Sequence, residues 1–188
     1  MEKLEEKILE IVDPTFTKKR KKCETKEIIE LADKYELKFS NDYIHYLQFN
    51  GNSYMKDNYR YSPSYDISEV TRQDTFRVSC LFGLGSETEG LEEEVQSYLG
   101  ILPNNLFPIG DLLGGNLVCM DKETGKIYLW YHDEPEGNDN FLSDDSFKQF
   151  IMNINCHEDN SSSTEIKLNF GSELDEALKK AEEKYKNK

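Results

Sequence analysis

No apolar run in the 188 residues approaches the ~20 that a membrane-crossing helix needs. Cysteine is scarce, and no two of Cys23, Cys80, Cys119 and Cys156 form a C-x-x-C pair. That removes dithiol redox chemistry and the paired spacing of a zinc finger. Cys156 beside His157 offers two ligand types, but no second pair stands at metal-site spacing. Histidine is scarcer still, with only His45, His132 and His157. There is no G-x-S-x-G nucleophile elbow, and Gly83 and Gly85 lack the third glycine of a dinucleotide fingerprint. The opening MEKLEEKILEIVDP is acidic and amphipathic, without the apolar core of a secretory signal. These absences predict a cytoplasmic chain with free thiols and no catalytic residues, metal or cofactor. Cys80 and Cys119 sit in apolar runs and read as small core hydrophobes.

Aromatics make up 12% of the chain and hydrophobic residues 37%. A compact chain of this length buries roughly 70% of its unfolded surface, enough to fold without disulfides. Acids outnumber bases 37 to 23, for a net charge of −14. The imbalance is uneven: residues 1–60 hold 12 acids and 12 bases, whereas 61–188 hold 25 acids and 11 bases. Such a field repels nucleic acid and anionic membranes and speeds encounter with basic proteins. Solubility alone is the plainer account of the same charge.

Periodicity predicts a helix over 2–12, ended by Pro14, with Leu4, Ile8, Ile11 and Val12 on one face. The five bases Lys18, Lys19, Arg20, Lys21 and Lys22 read as a solvated loop, since no aromatic is interleaved among them. Thr25 is placed as the cap of a helix to Tyr35, and Ser40 as the cap of another to Gln48. Asn50-Gly51 then reads as a left-handed stop. Within the region 54–65, Tyr59 and Tyr61 alternate as on a strand and Pro63 marks an edge or a turn; a second strand is expected over 75–82, and a short acidic helix over 91–99. A strand over 107–111 follows, then a hairpin pairing 116–120 with 126–131 across a loop containing Gly125. Its predicted buried face is Leu117, Cys119, Ile127 and Leu129, with Trp130 in the core. Ser143 is placed as the cap of a last core helix containing Phe147, Phe150, Ile151 and Ile154. Residues 1–157 form the expected domain. Residues 158–188 read as a polar linker, a strand over 164–170 and a charged helix over 173–186.

The order of these features resembles the SUKH superfamily, the yeast cell-wall-assembly regulator type. The resemblance rests on Asn50-Gly51, Phe107-Pro108-Ile109-Gly110-Asp111 and the turn Gly114-Gly115. It continues in the strand Lys126-Ile127-Tyr128-Leu129-Trp130-Tyr131 and the helix motif Phe147-x-x-Phe150. Phe39-Ser40 replaces the usual Leu-Pro, and a serine cap is a physical substitute for proline in the first turn. The resemblance implies an α+β fold, a mostly antiparallel sheet with helices packed on one side, here with a C-terminal helical extension. It also implies a non-enzymatic immunity protein that neutralises a cognate bacterial toxin. The alternative it carries is a regulatory protein–protein interaction module.

The partner-binding candidates are accordingly acidic or aromatic. Glu87, Glu89, Glu92, Glu93 and Glu94 put five carboxylates within eight residues. They read either as a solvated helix start or as a phosphate-mimicking patch for a basic toxin surface such as that of a nuclease. Asp133, Glu134 and Glu136 are a second acidic group. Tyr54, Tyr59, Tyr61 and Tyr65 offer either strand packing or interface contact, with Tyr59 and Tyr61 the partner-binding candidates among them. His132-Asp133-Glu134 does not read as an acid–base pair, since neighbours on a strand face opposite ways.

Overall fold

A computed structural model describes residues 2–16, 23–84, 90–135 and 137–157. The chain divides into two units, Met1–Glu158 and Asp159–Lys188, and the fold described is that of the first. The basic run 18–22, Glu87, Glu89, Glu136 and the expected strand and helix beyond 158 lie outside the described residues.

The elements run α1 (Glu2–Ile11), α2 (Thr25–Tyr35), α3 (Asn41–Phe49), β1 (Ser53–Tyr54), β2 (Tyr59–Tyr61) and α4 (Ser68–Thr71). They continue β3 (Val78–Leu81), α5 (Leu91–Ser97), β4 (Leu106–Leu112), β5 (Leu117–Asp121), β6 (Ile127–Trp130), β7 (Asn140–Asp144), α6 (Phe147–Met152) and β8 (Ile154–Cys156). Six strands form one antiparallel sheet in the order β1-β3-β4-β5-β6-β7, and β2 pairs with β8 separately. This is the expected α+β architecture.

One face of the sheet is buried by helices. Leu4, Ile8, Ile28, Leu31, Leu47, Leu91, Phe147 and Phe150 meet Phe107, Val118, Met120, Ile127 and Leu129 there. Tyr43 sits at the centre of an aromatic cluster, 4.9 Å from Phe147 and 6.0 Å from Tyr46 between ring centroids. The opposite face carries a smaller cluster of Leu102, Leu106, Leu117, Cys119 and Trp130, with Tyr98 and Tyr128 against it. The segment after α5 therefore covers what the helices leave bare.

That second cluster corrects the expected hairpin face. Leu117 opposes Trp130, Val118 opposes Leu129, Cys119 opposes Tyr128 and Met120 opposes Ile127. Directly opposed residues share a face. Leu117 and Cys119 thus go with Trp130, while Ile127 and Leu129 go with Val118 and Met120. The expected pairing is one residue out of register, and a one-residue slip exchanges the faces.

Three helix boundaries also differ from expectation. The N-cap of α2 is Glu24 rather than Thr25, and Glu27 Oε2 accepts from the Glu24 N–H at 3.1 Å. The N-cap of α6 is Ser146, whose Oγ accepts from the Gln149 N–H at 3.2 Å. Ser143 lies instead in β7, where its hydroxyl donates to the Ile127 carbonyl at 3.1 Å. Asn50 is extended, with φ −119°, so it is no left-handed stop. Gly51 instead lies against Gly83, where a Cβ added to Gly83 would be 2.2 Å from the Gly51 carbonyl carbon. Ser40 caps α3 as expected, accepting from the Tyr43 N–H at 3.3 Å.

The β5–β6 turn is locked by Asp121. Its Oδ1 accepts from the Glu123 and Thr124 N–H groups at 3.1 and 2.8 Å, and its Oδ2 accepts from Asn105 Nδ2 at 2.7 Å. Burial pushes this carboxyl up, but the bonds from Asn105, Thr124 and Glu123 outweigh it and hold it below the ordinary aspartate value. Asp121→Ala is expected to cost about 2–3 kcal/mol, since hydrogen bonds to a charged group are worth about 1.5–3. A lowered folded pKa gives stability that is present above the ordinary aspartate range and lost as pH falls through the folded value. The stability gap between wild type and Asp121→Ala, read by urea unfolding, should therefore be full at pH 7 and shrink below about pH 4.

Candidate functional site

The acidic helix α5 is short, with Leu91 and Val95 buried and Glu92, Glu93 and Glu94 in its first turn. Acids are favoured there by the exposed N–H groups of a helix start. Glu92 reaches across to α2, where Lys34 Nζ donates to its Oε1 at 2.6 Å. That bond, first among the causes, raises the Lys34 ammonium above its ordinary value. Both partners are about half exposed, so the pair adds little stability. The pair marks where α5 comes near α2, while the buried Leu91 and Val95 hold α5 on the core.

Between α2 and α5 lies a groove of about 300 Å³ lined by Cys23, Glu27, Glu30, Leu31, Lys34, Leu84 and Glu92. Its floor is apolar and its walls carry three carboxylates against one ammonium. Glu27 is held in place at the start of α2 by its bond to the Glu24 N–H and by Cys23 Sγ, which donates to Glu27 Oε2 at 2.7 Å. Glu27 and Glu30 are one turn apart, so they fall on one helix face. That i, i+3 spacing is present in the sequence. The acids of α5 stand out as a run, whereas Glu27 and Glu30 do not, because nothing local says that α2 and α5 meet.

The other expected candidates fall elsewhere. Asp133 and Glu134 are exposed in the turn after β6 and line no groove with Glu92. His132 and Asp133 do touch, with Nε2 3.0 Å from Asp133 Oδ1, which corrects the strand argument: the residues lie in a turn. The other ring nitrogen of His132 is 3.0 Å from Asn116 Oδ1, so this imidazole is held by two local polar groups.

Tyr59 is half-buried, its hydroxyl donating to Glu10 at 3.3 Å, with Lys7 and Lys56 over its ring at 5.9 and 5.7 Å. Desolvation, then the Glu10 carboxylate, raises its hydroxyl above the ordinary tyrosine value. Tyr61, expected as a partner-binding residue, is out of a partner's reach. It is fully buried, and its hydroxyl donates to Asp144, itself buried and bonded by Ser64 at 2.6 Å and Asn153 at 2.8 Å. Strand pairing with Ile154 on one side and bridging to Phe76 on the other enclose the ring. Tyr54 is exposed, and Tyr65 is exposed with its hydroxyl on Asp145.

Cys80 and Cys119 are buried as expected, and burial drives the Cys119 thiol far above its ordinary value. Cys23 is also buried and Cys156 exposed. Among the described residues no cluster of three or more histidine, cysteine or acidic side chains is arranged to hold a metal ion. No helix among them is long and apolar enough to cross a membrane.

An antiparallel sheet with helices over one face, built around Asn50-Gly51, the Pro108-Ile109-Gly110 strand and the Phe147-x-x-Phe150 helix, defines the SUKH class of α+β domain. A family model described as the SMI1 / KNR4 family (SUKH-1) matches residues 22–153, more than two thirds of the chain, and the chain belongs to that family. Over 83 residues it is 34% identical to the SPbeta prophage-derived uncharacterized protein YokK of Bacillus subtilis strain 168. That match covers 43% of this chain and 43% of the relative's length.

Proposed function

We propose that this protein is a non-enzymatic immunity protein that binds and neutralises a cognate toxin through the acidic α2–α5 groove. The observation that carries the reading is the convergence of Glu27, Glu30 and Glu92 on one groove over an apolar floor. Carboxylates around an apolar floor suit a basic side chain, which lays its alkyl stem on Leu31 and Leu84 and its charged head among the acids. A nuclease is the toxin class that fits best, because its phosphate-binding lysines and arginines are met by carboxylates standing in for phosphates. The net charge of −14 steers such a partner from a distance. Membership of the SMI1 / KNR4 (SUKH-1) family and a prophage-derived relative support a role in conflict between bacteria.

The test uses Glu30→Lys, Glu92→Lys and Glu93→Lys together, with the toxin encoded beside this gene as partner. Steering accelerates association by about 10- to 1000-fold, so the triple variant should associate at least about tenfold more slowly. The wild-type on-rate should fall as salt rises, because exposed charges are screened within about 8–10 Å near physiological ionic strength. Surface substitutions usually shift stability by no more than about 0.5 kcal/mol each, so the melting temperature should scarcely move. Full protection by the triple variant in co-expression, with an unchanged and salt-independent on-rate, would remove the groove as the binding surface. A partner that proves to be a host regulatory protein, with no protection from any neighbouring toxin, would favour the interaction-module reading instead.

A further inference from the structure

The seam between α2 and α5 continues beyond the acidic groove. On α2, Lys34 lines the groove, and the next residue, Tyr35, lines a second, smaller crevice of about 30 Å³. On α5, Glu92 belongs to the groove and Val95, one turn on, to the crevice. The two recesses therefore adjoin, and the chemistry changes along the seam. The groove is walled by acids, whereas the crevice is lined by Tyr35, Val95, Tyr98, Leu99 and Pro103, with no acid among its lining residues. A recess of that size holds about one water, or the methyl end of a side chain.

Beside it stand two aliphatic side chains that the core does not take. Leu99 and Ile101 are 57% and 58% exposed on either side of Gly100, while the next residue, Leu102, is buried. They are presented from a fixed turn. The Ile101 and Leu102 N–H groups donate to the Tyr98 carbonyl at 3.1 and 3.2 Å, and the Tyr98 ring meets Trp130 edge-on. Side chains carried by an ordered backbone lose little freedom when a partner covers them. Single apolar side chains scattered over a surface need no explanation. Two together beside a crevice holding two tyrosines, with Glu93, Gln96, Ser97 and Asn104 exposed around them, have the make-up of an interface centre ringed by polar groups.

Charge and distance name the occupant. α5 is seven residues long, about 10 Å, so Glu92 and Leu99 fall inside one interface of standard size, about 800 Å² per partner and about 30 Å across. A surface that covers Leu99 and Ile101 must at the same time face Glu92, Glu93 and Glu94, which selects a basic protein. We propose that Leu99 and Ile101 are the apolar anchor of the toxin interface, and that the partner is a basic toxin domain with an apolar recess beside its cationic patch. The inference rests on the immunity reading and adds a division of roles to it. The acids of the groove set how fast the complex forms, and the apolar anchor sets how long it lasts.

The experiment measures binding kinetics of the full chain with an inactivated form of the toxin encoded beside this gene. It compares wild type, a Leu99→Ser, Ile101→Ser double variant and the Glu30→Lys, Glu92→Lys, Glu93→Lys triple variant. The double variant should dissociate at least about 30-fold faster, the lower bound for losing a hot spot, with an on-rate within about twofold of wild type and its salt dependence retained. Its melting temperature should scarcely move, because both side chains are already exposed. The triple variant should show the converse, slow association with little change in dissociation. A double variant that dissociates like wild type, while charge reversal still slows association, would overturn the anchor and leave the acidic groove standing. A toxin that binds none of the three proteins would overturn the immunity reading and the anchor with it. Sedimentation should find the free chain monomeric. A dimer that the serine substitutions dissolve would assign the patch to a second copy of the chain and overturn its assignment to the toxin.

Discussion

Trp130→Ala is expected to destabilise the protein by about 3–5 kcal/mol, the usual cost of emptying a large aromatic site in a core. The indole is only 6% exposed and anchors the smaller cluster, edge-on to Tyr98 at 5.9 Å between centroids. Its Nε1–H also donates to Asp139 Oδ2 at 2.8 Å. Burial pushes the Asp139 carboxyl up, yet the bonds from Asn140 and Trp130 bring it below its ordinary value, so this residue is held as a carboxylate. Truncation leaves both a cavity and a near-buried charge short of a donor. Trp130→Phe separates the two effects, retaining most of the ring volume and losing only the donor, at about 1–3 kcal/mol. Chemical denaturation of the two variants is the measurement. A loss below about 1 kcal/mol for Trp130→Ala would mean that the face covered by Leu102 and Leu106 contributes little to stability.

Gly83→Ala is the second large effect, expected at about 3 kcal/mol or more. Overpacking a core typically costs about 1–3 kcal/mol when side chains can shift. Here the added Cβ meets Gly51 backbone atoms at 2.2, 2.4 and 2.5 Å, and backbone cannot rotate out of the way. The Gly51 carbonyl also accepts from the Tyr46 and Ser53 hydroxyls, so displacing it disturbs the buried end of α3. Gly114→Ala is the internal comparison. That glycine has φ +94° but nothing within 4 Å of an added Cβ, so only backbone strain is incurred. A left-handed residue that loses its glycine costs of order 1 kcal/mol. Melting curves in which Gly114→Ala proves the more damaging of the two would contradict the close approach of Gly51 and Gly83.

Much of the fold is legible in the chain because its signals are local. The 3.6-residue period of Leu4, Ile8 and Ile11 marks α1, and the serine at position 40 marks the start of α3. The two short apolar runs on either side of a turn containing Gly125 mark the β5–β6 hairpin. Three strands are not legible in the sequence: β1, only two residues long, β7 and β8. β7 reads as the polar run Asn-Phe-Leu-Ser-Asp, and it is a strand because β6 offers an open edge to pair with. β8 is three residues long and exists through pairing with β2. None of these segments carries enough apolar periodicity to declare itself.

The candidate sites divide in the same way. The sequence by itself determined the acidity of α5, the scarcity of histidine and the family motifs, all properties of residues a few positions apart. Only the tertiary structure decided that Glu92 meets Glu27 and Glu30 across a groove and that Tyr61 is sealed against Asp144. Each depends on strand register or on the docking of one helix beside another. Register has no marker within a single segment, and shifting it by one residue sends every side chain of a strand to the opposite face.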